Sequence, residues 1–495
     1  MSAPPLTDKG LARGKVGALT GAVLGISCVA PGYTLTASIG LIAAAVGTRA
    51  PAIFLAGFVP MLLAASAYRE LNRAEPDCGA SFTWTARAFG PHVGWMCGWG
   101  MVAASVIVLS NLAAVAVQFL YLFLARALAM PWLARLPDDK AVNLLTTLVL
   151  LGLATAVATR GVEVTERVQR VLVGFQMLLL AGFCACALTQ VVSGTAPARE
   201  SLDASWFNPF SGLPPAAFAA GITGSLFAFW GWDTCLTLGE ESKDPNRTPG
   251  RAGLLCVTSI LVTYVVVAVA ALLFAGPAAL GGSDDVFGAL AVPVMGSWGG
   301  LLLFLAVLAS SVASLQTTFL PAARTMLAMG SHGAFPKAFA RVHPRFRVPS
   351  FAAAVAGGAT AAFSALTAVF SESALDDTVA ALGIMICWYY GLTALACAWY
   401  FRRDAFASAR DFTARIAFPV LGGVMLLGVL VLAVVQSADP SYGSGASLGG
   451  IGLVFFLGVG VLLLGAVLML VMRAARPAFF KTSPAPAAYS DSARA

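Results

Sequence analysis

Charged side chains are scarce in this sequence of 495 residues: Asp, Glu, Lys and Arg together make up 11% of it, and there are only three histidines. Soluble globular domains carry about a quarter charged residues. Hydrophobic residues reach 59% and the mean hydropathy is +0.85, which excludes a disordered chain and argues against a soluble enzyme. The composition predicts an all-α protein that crosses a membrane many times.

Paired cysteines and catalytic motifs are also lacking. The nine cysteines show neither the spacing of a metal site nor that of a disulfide framework, and most lie inside apolar runs, where cysteine behaves as a small hydrophobic residue. The three histidines form no cluster. We therefore expect no metal, no cofactor and no enzyme activity.

Twelve apolar runs are long enough to cross a bilayer, which takes about 20 residues per helix. They lie near 16–46, 51–68, 92–125, 142–159, 168–192, 215–239, 252–276, 298–328, 350–370, 378–401, 415–436 and 448–472. The polar ends, 1–15 and 476–495, are expected to be disordered cytoplasmic tails.

Basic residues are distributed unevenly between the loops. With the N-terminus in the cytoplasm, 25 of the 30 Lys and Arg residues fall on the cytoplasmic side. Such a bias sets the orientation of membrane proteins. We therefore expect the chain in the cytoplasmic membrane, with both termini in the cytoplasm. It also accounts for the net charge of +7, and a nucleic-acid partner is not expected.

Two of the runs are interrupted by helix-breaking residues. In the first run, Pro31 removes a backbone donor and Gly32 tolerates unwinding, although a simple proline kink is the alternative interpretation. The sixth run carries glycines at 221, 224 and 231, followed by the acid Asp233. Broken helices at corresponding positions of two halves indicate a transporter site. Their free ends suit a zwitterion, because N–H groups face a carboxylate and carbonyls face an ammonium.

Two loops carry a family resemblance. The loop after the second run reads Tyr68-Arg-Glu-Leu-Asn-Arg-Ala-Glu-Pro76-Asp-Cys-Gly79, and the loop after the sixth reads Gly239-Glu-Glu-Ser-Lys-Asp-Pro245-Asn-Arg247-Thr-Pro249. Together with Gly231-Trp-Asp233 and Gly333-Ala-Phe-Pro336, they resemble the amino acid–polyamine–organocation permeases over roughly residues 16–475. The resemblance implies the leucine-transporter-type fold. This fold has a 16–401 core of two inverted five-helix repeats, about 16–192 and 215–401, with helices 1 and 6 broken, and two extra helices in 402–475.

The same resemblance implies a secondary active transporter of amino acids that works by alternating access, with proton coupling or exchange as the expected mode. A polyamine or ethanolamine-type permease or exchanger is the alternative, and a transporter-like sensor is less favoured. The expected partners are the small-molecule substrate, H⁺ or Na⁺ as a coupling ion, and membrane lipid. The candidate substrate-binding residues are Ser27, Cys28, Ala30, Pro31, Gly32, Asn111, Phe227, Ala228 and Trp230.

Asp233 is the acid expected to couple or gate transport. A charged residue at a helix centre is disfavoured by about 2.5–3.5 kcal/mol on insertion scales, so a buried acid usually has a function or a partner. One interpretation is that Asp233 only hydrogen-bonds the broken helix. The other is that burial favours the neutral acid and makes Asp233 a proton carrier.

Two further groups of polar residues are candidates. Ser310, Ser311 and Ser314 offer hydroxyl ligands to a sodium ion, although serines in membrane helices more often bond their own backbone. At the cytoplasmic side, charge pairs are expected to close the gate when the transporter is open to the outside. These pairs are expected among Arg69, Arg73, Glu240 and Glu241.

Overall fold

The computed structural model describes residues 9–160, 166–198, 200–209, 212–283, 285–370, 374–403 and 405–481. Within this part of the chain, ten helical segments are long and apolar enough to cross a membrane, and two apolar helices are shorter, Ala18–Val29 and Pro215–Ala228. The strands there are β1 (Ser447–Leu448) and β2 (Ile451–Gly452), which pair antiparallel. The prediction of an all-helical chain that spans a membrane many times is confirmed.

Seven α-helices lie in the described residues of the first half of the chain. In chain order they are α1 (Ala18–Val29), α2 (Pro31–Val46), α3 (Ala50–Ala74), α4 (Ser81–Phe89), α5 (Pro91–Ala127), α6 (Lys140–Arg160) and α7 (Glu166–Val192). Proline occupies the first turn of α2, α3 and α5, where its missing N–H costs no hydrogen bond.

The second half contains twelve α-helices where the structure describes it, and several of them are only one turn long. They are α8 (Pro215–Ala228), α9 (Thr234–Thr237), α10 (Thr248–Ala275), α11 (Pro277–Gly281), α12 (Val286–Ser331), α13 (Ser350–Phe370), α14 (Ala374–Phe401), α15 (Ala409–Phe412), α16 (Phe418–Ser437), α17 (Leu453–Phe455), α18 (Val461–Ala475) and α19 (Pro477–Phe480).

The interruptions lie where the sequence predicts them. The first run, 16–46, forms α1 and α2 with Ala30 between them, and the sixth run forms α8 and α9 with 229–233 between them. Gly296, with φ 71° and ψ −179°, interrupts the helical geometry of α12 and divides it into two parts. The second part begins close to 298, where the sequence predicts a helix, whereas the first part, from Val286 to the break, is not predicted. The Asp285 side chain accepts a hydrogen bond from the N–H of Gly288 at the start of the first part.

The two broken helices are in close contact with each other. An added Cβ on Gly25 of α1 would lie 2.6 Å from Sγ of Cys235 on α9 and 3.0 Å from Sγ of Cys256 on α10. Such an approach admits only glycine. The long helices α5 and α12 pack along each other, and α1 and α2 both contact α12, which brings both interruptions to the same buried region.

The chain ends differ from expectation where they are described. Lys9 and Leu11 are buried, and Val16 forms a parallel bridge with Ser242. At the other end, α19 buries Phe479 and Phe480. The segments 9–15 and 476–481 are therefore packed rather than disordered, whereas 1–8 and 482–495 lie outside the described residues. We call the end of the bundle formed by 9–16, 75–80, 239–247 and 343–349 the basic end.

Candidate functional site: two broken helices

The first break is a single residue in a left-handed conformation. Ala30 has φ 51° and ψ 71°, and it is fully buried. For a residue other than glycine this conformation costs roughly 1–2 kcal/mol, which the surrounding packing must offset. On the α12 side, an added Cβ on Gly32 would lie 3.4 Å from the Ser310 side chain and 3.8 Å from Oε1 of Gln176. The break thus opens toward polar atoms of α7 and α12.

The second break is held by aromatic side chains. Tyr264 donates a hydrogen bond of 2.7 Å to the carbonyl of Ala228, and Nε1 of Trp230 donates one of 2.7 Å to the hydroxyl of Tyr389. Ala228 was predicted to receive an amino group, and its carbonyl already has this protein partner, although a carbonyl oxygen has a second lone pair. Trp230 is likewise engaged.

Asp233 lies at the end of the second break and is 1% exposed. Its Oδ1 accepts a hydrogen bond of 2.8 Å from Tyr390, and its Oδ2 has no partner in the described part of the chain. No Lys, Arg or His of that part lies within ion-pair distance of its carboxyl group. The carboxyl group is therefore held by a neutral donor and keeps one oxygen for another proton or ligand.

The predicted aromatic Phe227 faces the first broken helix. Its ring packs edge-on against Tyr33, with ring centroids 6.3 Å apart. The Tyr33 hydroxyl and Nδ2 of Asn111 are buried without hydrogen-bond partners among the described residues, whereas Oδ1 of Asn111 accepts from Thr378 at 2.9 Å. Buried polar atoms nearly always have a hydrogen-bond partner, so a polar ligand would form its hydrogen bonds with these atoms.

The three candidate ion-binding serines behave differently from one another. Ser314 donates a hydrogen bond of 2.7 Å to the carbonyl of Cys28, so this hydroxyl and this carbonyl already satisfy each other. The hydroxyls of Ser310 and Ser311 are buried without partners in the described chain, as is Oε1 of Gln176. The structure therefore brings Ser310, Gln176 and Gly32 together, and it engages Ser314 with helix α1.

A glutamine that the sequence analysis missed links three helices beside the first break. Ser27 of α1 donates a hydrogen bond of 2.7 Å to Oε1 of Gln169 on α7. The Gln169 amide nitrogen points to the carbonyl of Ala313 on α12, at 3.4 Å. Gln169 lies seven residues before Gln176, on the same face of α7, and this spacing was the only signal for it in the sequence.

The predicted gate residues are paired, but not with one another. Arg69 and Arg73 both contact the carboxylate of Glu70. Glu240 pairs instead with Lys9 at 2.6 Å, and Glu241 pairs with Arg324 at 2.6 Å. The prediction of pairs among Arg69, Arg73, Glu240 and Glu241 is wrong. The two glutamates pair instead with cations supplied by the N-terminal segment and by helix α12.

Lys9 holds the two loops at the basic end together. Its ammonium also lies 2.7 Å from Asp77, in the loop after α3, and all three side chains are nearly inaccessible. Burial alone would lower the pKa of Lys9, but the carboxylates of Asp77 and Glu240 beside it raise this pKa above its usual range. Burial opposes ionisation of Asp77 as well, but Lys9 holds the pKa of this carboxyl below its usual range.

Two cavities flank this region. The basic-end cavity, of about 610 Å³, reaches Gln169, Thr317 and the Glu241–Arg324 pair. A cavity of about 600 Å³ toward the other end is lined by Ser110 and Asn111, among others. Neither cavity is lined by 27–32 or 227–233, but Asn111 lines the second cavity and Gln169, the partner of Ser27, lines the first.

Comparisons with known proteins agree with this architecture. An uncharacterized transporter of Mycobacterium tuberculosis (strain ATCC 25618 / H37Rv) is 29% identical over 292 residues, which cover 59% of this chain and 60% of that protein. The chain thus spans about 60% of the length of this relative. The low-affinity putrescine importer PlaP of Escherichia coli (strain K12) is 24% identical over 81% of this chain and 84% of its own.

A solved structure shows the same fold. The crystal structure of MhsT in complex with L-phenylalanine superimposes with a TM-score of 0.58, covering 83% of this chain and 98% of that one at 16% identity. This likeness shows that the chain has the leucine-transporter-type fold. The profile of the family described as amino acid permease matches residues 18–462. The chain therefore belongs to the amino acid permease family.

Proposed function

We propose that this chain is a secondary active transporter that carries amino acids across the cytoplasmic membrane by alternating access. The observation that supports it best is the meeting of two broken helices around buried, unpartnered polar atoms, which include the Tyr33 hydroxyl, Nδ2 of Asn111 and Oδ2 of Asp233. Interrupted helices in a membrane are tolerated where they line a binding site. Family membership points to the same activity.

The polarity of the helix ends suits a zwitterion. The N-terminus of α2, after Pro31, presents free N–H groups to a carboxylate, and the C-terminus of α8 presents carbonyls to an ammonium. Phe227 would cover the bound molecule. Substrate binding is thus assigned to residues 27–32, Asn111, Phe227, Ala228 and Trp230.

The number of membrane crossings and the orientation of the chain in the membrane are also part of the proposed function. Helices α1 and α2 together form one crossing, and α8 and α9 together form another. The remaining crossings are α3, α5, α6, α7, α10, α12, α13, α14, α16 and α18, which gives twelve crossings in total, the first ten of them in two inverted five-helix repeats. The basic end then faces the cytoplasm, with both chain termini on that side.

Proton coupling through Asp233 is the favoured mode. The Asp233 carboxyl is buried and has no cation partner in the described chain, and a carboxyl in such a place carries a proton when the site is closed to water. Sodium coupling through the Ser310 and Ser311 hydroxyls is the second mode, since these two hydroxyls have no partners.

Amine transport is the second candidate function. The similarity to the putrescine importer PlaP supports it, and Asp233 would then bind an ammonium rather than a proton. A transporter-like sensor would bind the same ligands without moving them.

Uptake into proteoliposomes tests these alternatives. We expect labelled amino acids to be concentrated under an imposed pH gradient, and their decarboxylated amines to bind at least tenfold more weakly, because the helix N-terminus binds the carboxylate. Equal or tighter binding of the amines would favour the amine permease. Binding without uptake under either H⁺ or Na⁺ gradients would favour the sensor.

A further inference from the structure

The basic-end cavity contains a concentration of positive charge. Among the described residues that line it, Glu241 is the single carboxylate, and Arg324 binds that carboxylate with both Nε and a terminal nitrogen. The cations that line it besides Arg324 are Arg13, Lys15, Arg345 and Arg347. Beyond Arg13 and the Glu241–Arg324 pair, the lining therefore carries the three positive charges of Lys15, Arg345 and Arg347.

These three cations share a property that other cations near the basic end lack. Lys9 contacts Asp77 and Glu240, and Arg87 contacts Glu75. Lys15, Arg345 and Arg347 make no ion pair with any described residue. Lys243 and Arg247 are likewise without an ion pair in the described chain, but they do not line the cavity. The orientation rule explains why basic residues lie on this side, but it does not explain why unpaired ones share one concave surface.

The loop before α13 is built to place two of these arginines. Its turn is closed by hydrogen bonds of 2.8 Å from the Arg347 N–H to the His343 carbonyl and from the His343 N–H to the Val348 carbonyl. Arg347 itself has a φ of 53°, which is costly for a residue with a side chain. Nδ1 of His343 accepts a hydrogen bond from the N–H of Arg345 at 3.2 Å. The arginines thus extend from a fixed turn, not from a free loop.

We propose that the basic-end cavity is a binding site for a phosphate-bearing anion, held by Lys15, Arg345 and Arg347. Guanidinium groups match phosphate oxygens with two parallel hydrogen bonds, and positive charges in a concave wall strengthen each other's field. A volume of about 610 Å³ lies in the range of small-molecule sites. The amide of Gln316 lines the same cavity and supplies a neutral donor.

The site lies between parts that belong to different elements. Lys15 belongs to the segment that leads into α1, whereas Arg345 and Arg347 precede α13. A bound anion would connect these two segments next to the Glu241–Arg324 pair. This regulatory ligand differs from the transported substrate, and its binding does not depend on the proposed transport activity.

Binding measurements on the purified full-length chain test the site. Two probes share the phosphate chemistry: inorganic pyrophosphate, titrated by calorimetry, and phosphatidic acid, offered in phosphatidylcholine vesicles and detected on the protein by native mass spectrometry. The variant Arg345→Gln/Arg347→Gln removes two cavity cations. The matched control is Lys337→Gln/Arg341→Gln, which removes two exposed cations of the same loop that do not line the cavity.

We expect the wild type and the control to bind at least one probe, and the cavity variant to bind it about tenfold more weakly or not at all. Binding of pyrophosphate would show that the site accepts a soluble phosphate compound. Binding of phosphatidic acid alone would show that the site takes a lipid headgroup. The proposal is overturned if the wild type binds neither probe, or if the control loses affinity to the same extent as the cavity variant.

Discussion

The proposed proton coupling depends on one side chain, that of Asp233. Its position at the end of the buried break 229–233, with Tyr390 as its one hydrogen-bond partner in the described chain, makes its protonation depend on whether water reaches the break. An acid in this situation releases its proton when the site opens and regains it when the site closes. The charge state of one carboxyl would therefore follow the conformation of the broken helix.

Replacement of Asp233 by Asn mimics the protonated acid. We expect Asp233→Asn to keep substrate binding and exchange and to lose accumulation driven by a pH gradient, because no proton is released on opening. Labelled uptake with and without the gradient measures both properties. Asp138→Asn, at an exposed acid, is the control. If Asp233→Asn still concentrates substrate with unchanged pH dependence, sodium coupling near Ser310 and Ser311 becomes the better hypothesis.

The sequence predicts the site only in part. Asp233 and Phe227 are recognisable because they stand beside glycines in an apolar run. Gln169, Tyr264 and Tyr390 are not recognisable, because sequence alone does not show which face of a helix turns inward when most faces are apolar. The rotation of α7, α10 and α14 about their axes decides which polar side chains reach the breaks.

At the scale of the elements, the N-terminal segment acts as a clasp across the basic end. Backbone hydrogen bonds from Lys15 and Val16 to the Glu241 carbonyl fix the segment beside the loop after α9, and Lys9 reaches the loop after α3. A charged side chain so completely buried is stable only with its partners present. The clasp thus couples two loops that are far apart in the chain.

Loss of the Lys9 ammonium should therefore destabilise the packing between the segments of the basic end. Removal of one partner from a buried ion pair costs about 3–5 kcal/mol, because the remaining charges are left without compensation. We expect Lys9→Met to lower the thermal unfolding temperature and to increase hydrogen exchange in 10–16. Lys15→Met, at an exposed lysine, is the control and should leave both unchanged.

The same variant has a defined pH dependence. Lys9 lowers the pKa of Asp77 in the folded chain, so the stabilisation from this pair is present above the unfolded pKa of an aspartate, about 3.9, and is lost as the pH falls through the lower folded value. The difference in unfolding temperature between wild type and Lys9→Met should be full at neutral pH and shrink in acid below about pH 4. A difference that does not change with acid would contradict the role of Asp77.

The sequence predicts the helices better than their ends. The interruption at Pro31 is evident from proline chemistry, and the break at Gly296 falls just before the predicted start near 298. The short helical part that begins at Val286 is not evident, because Pro293 lies inside it. The packing of 9–15 is also hidden, since Lys9 finds its acids 68 and 231 residues away. Local patterns carry no information about such distant partners.

At the scale of the whole molecule, the proposed alternating access requires the basic end to open. Three contacts connect its parts: the Ser27–Gln169 hydrogen bond, the Glu241–Arg324 pair and the Lys9 clasp. The first breaks if α1 moves away from α7, and the other two break only if the loop after α9 also separates from α12 and from the N-terminal segment. Together they set how strongly the closed arrangement is favoured over the open one.

A change at Glu241 should shift this balance without touching the substrate site. In Glu241→Gln the charge of Arg324 is left without its carboxylate, which favours an arrangement where water reaches Arg324. We expect unchanged substrate affinity and faster labelling of engineered cysteines in the basic-end cavity by a membrane-impermeant reagent. Asp244→Asn, in the same loop, serves as the control. Unchanged labelling in Glu241→Gln would mean that the pair does not hold the gate.

The hydrophobic cluster at the basic end has a consequence for the order in which the molecule is made. Leu11 belongs to the same cluster as Phe479 and Phe480, together with Phe82 and Trp95. The ribosome releases Leu11 before Phe82 and Trp95, and the two phenylalanines of α19 much later. The cluster is therefore assembled in steps, and Leu11 lacks part of its cover until α19 has been made. A nascent chain stalled before α19 would carry the N-terminal segment attached through Lys9 and Val16, with Leu11 more accessible to proteases than in the folded chain.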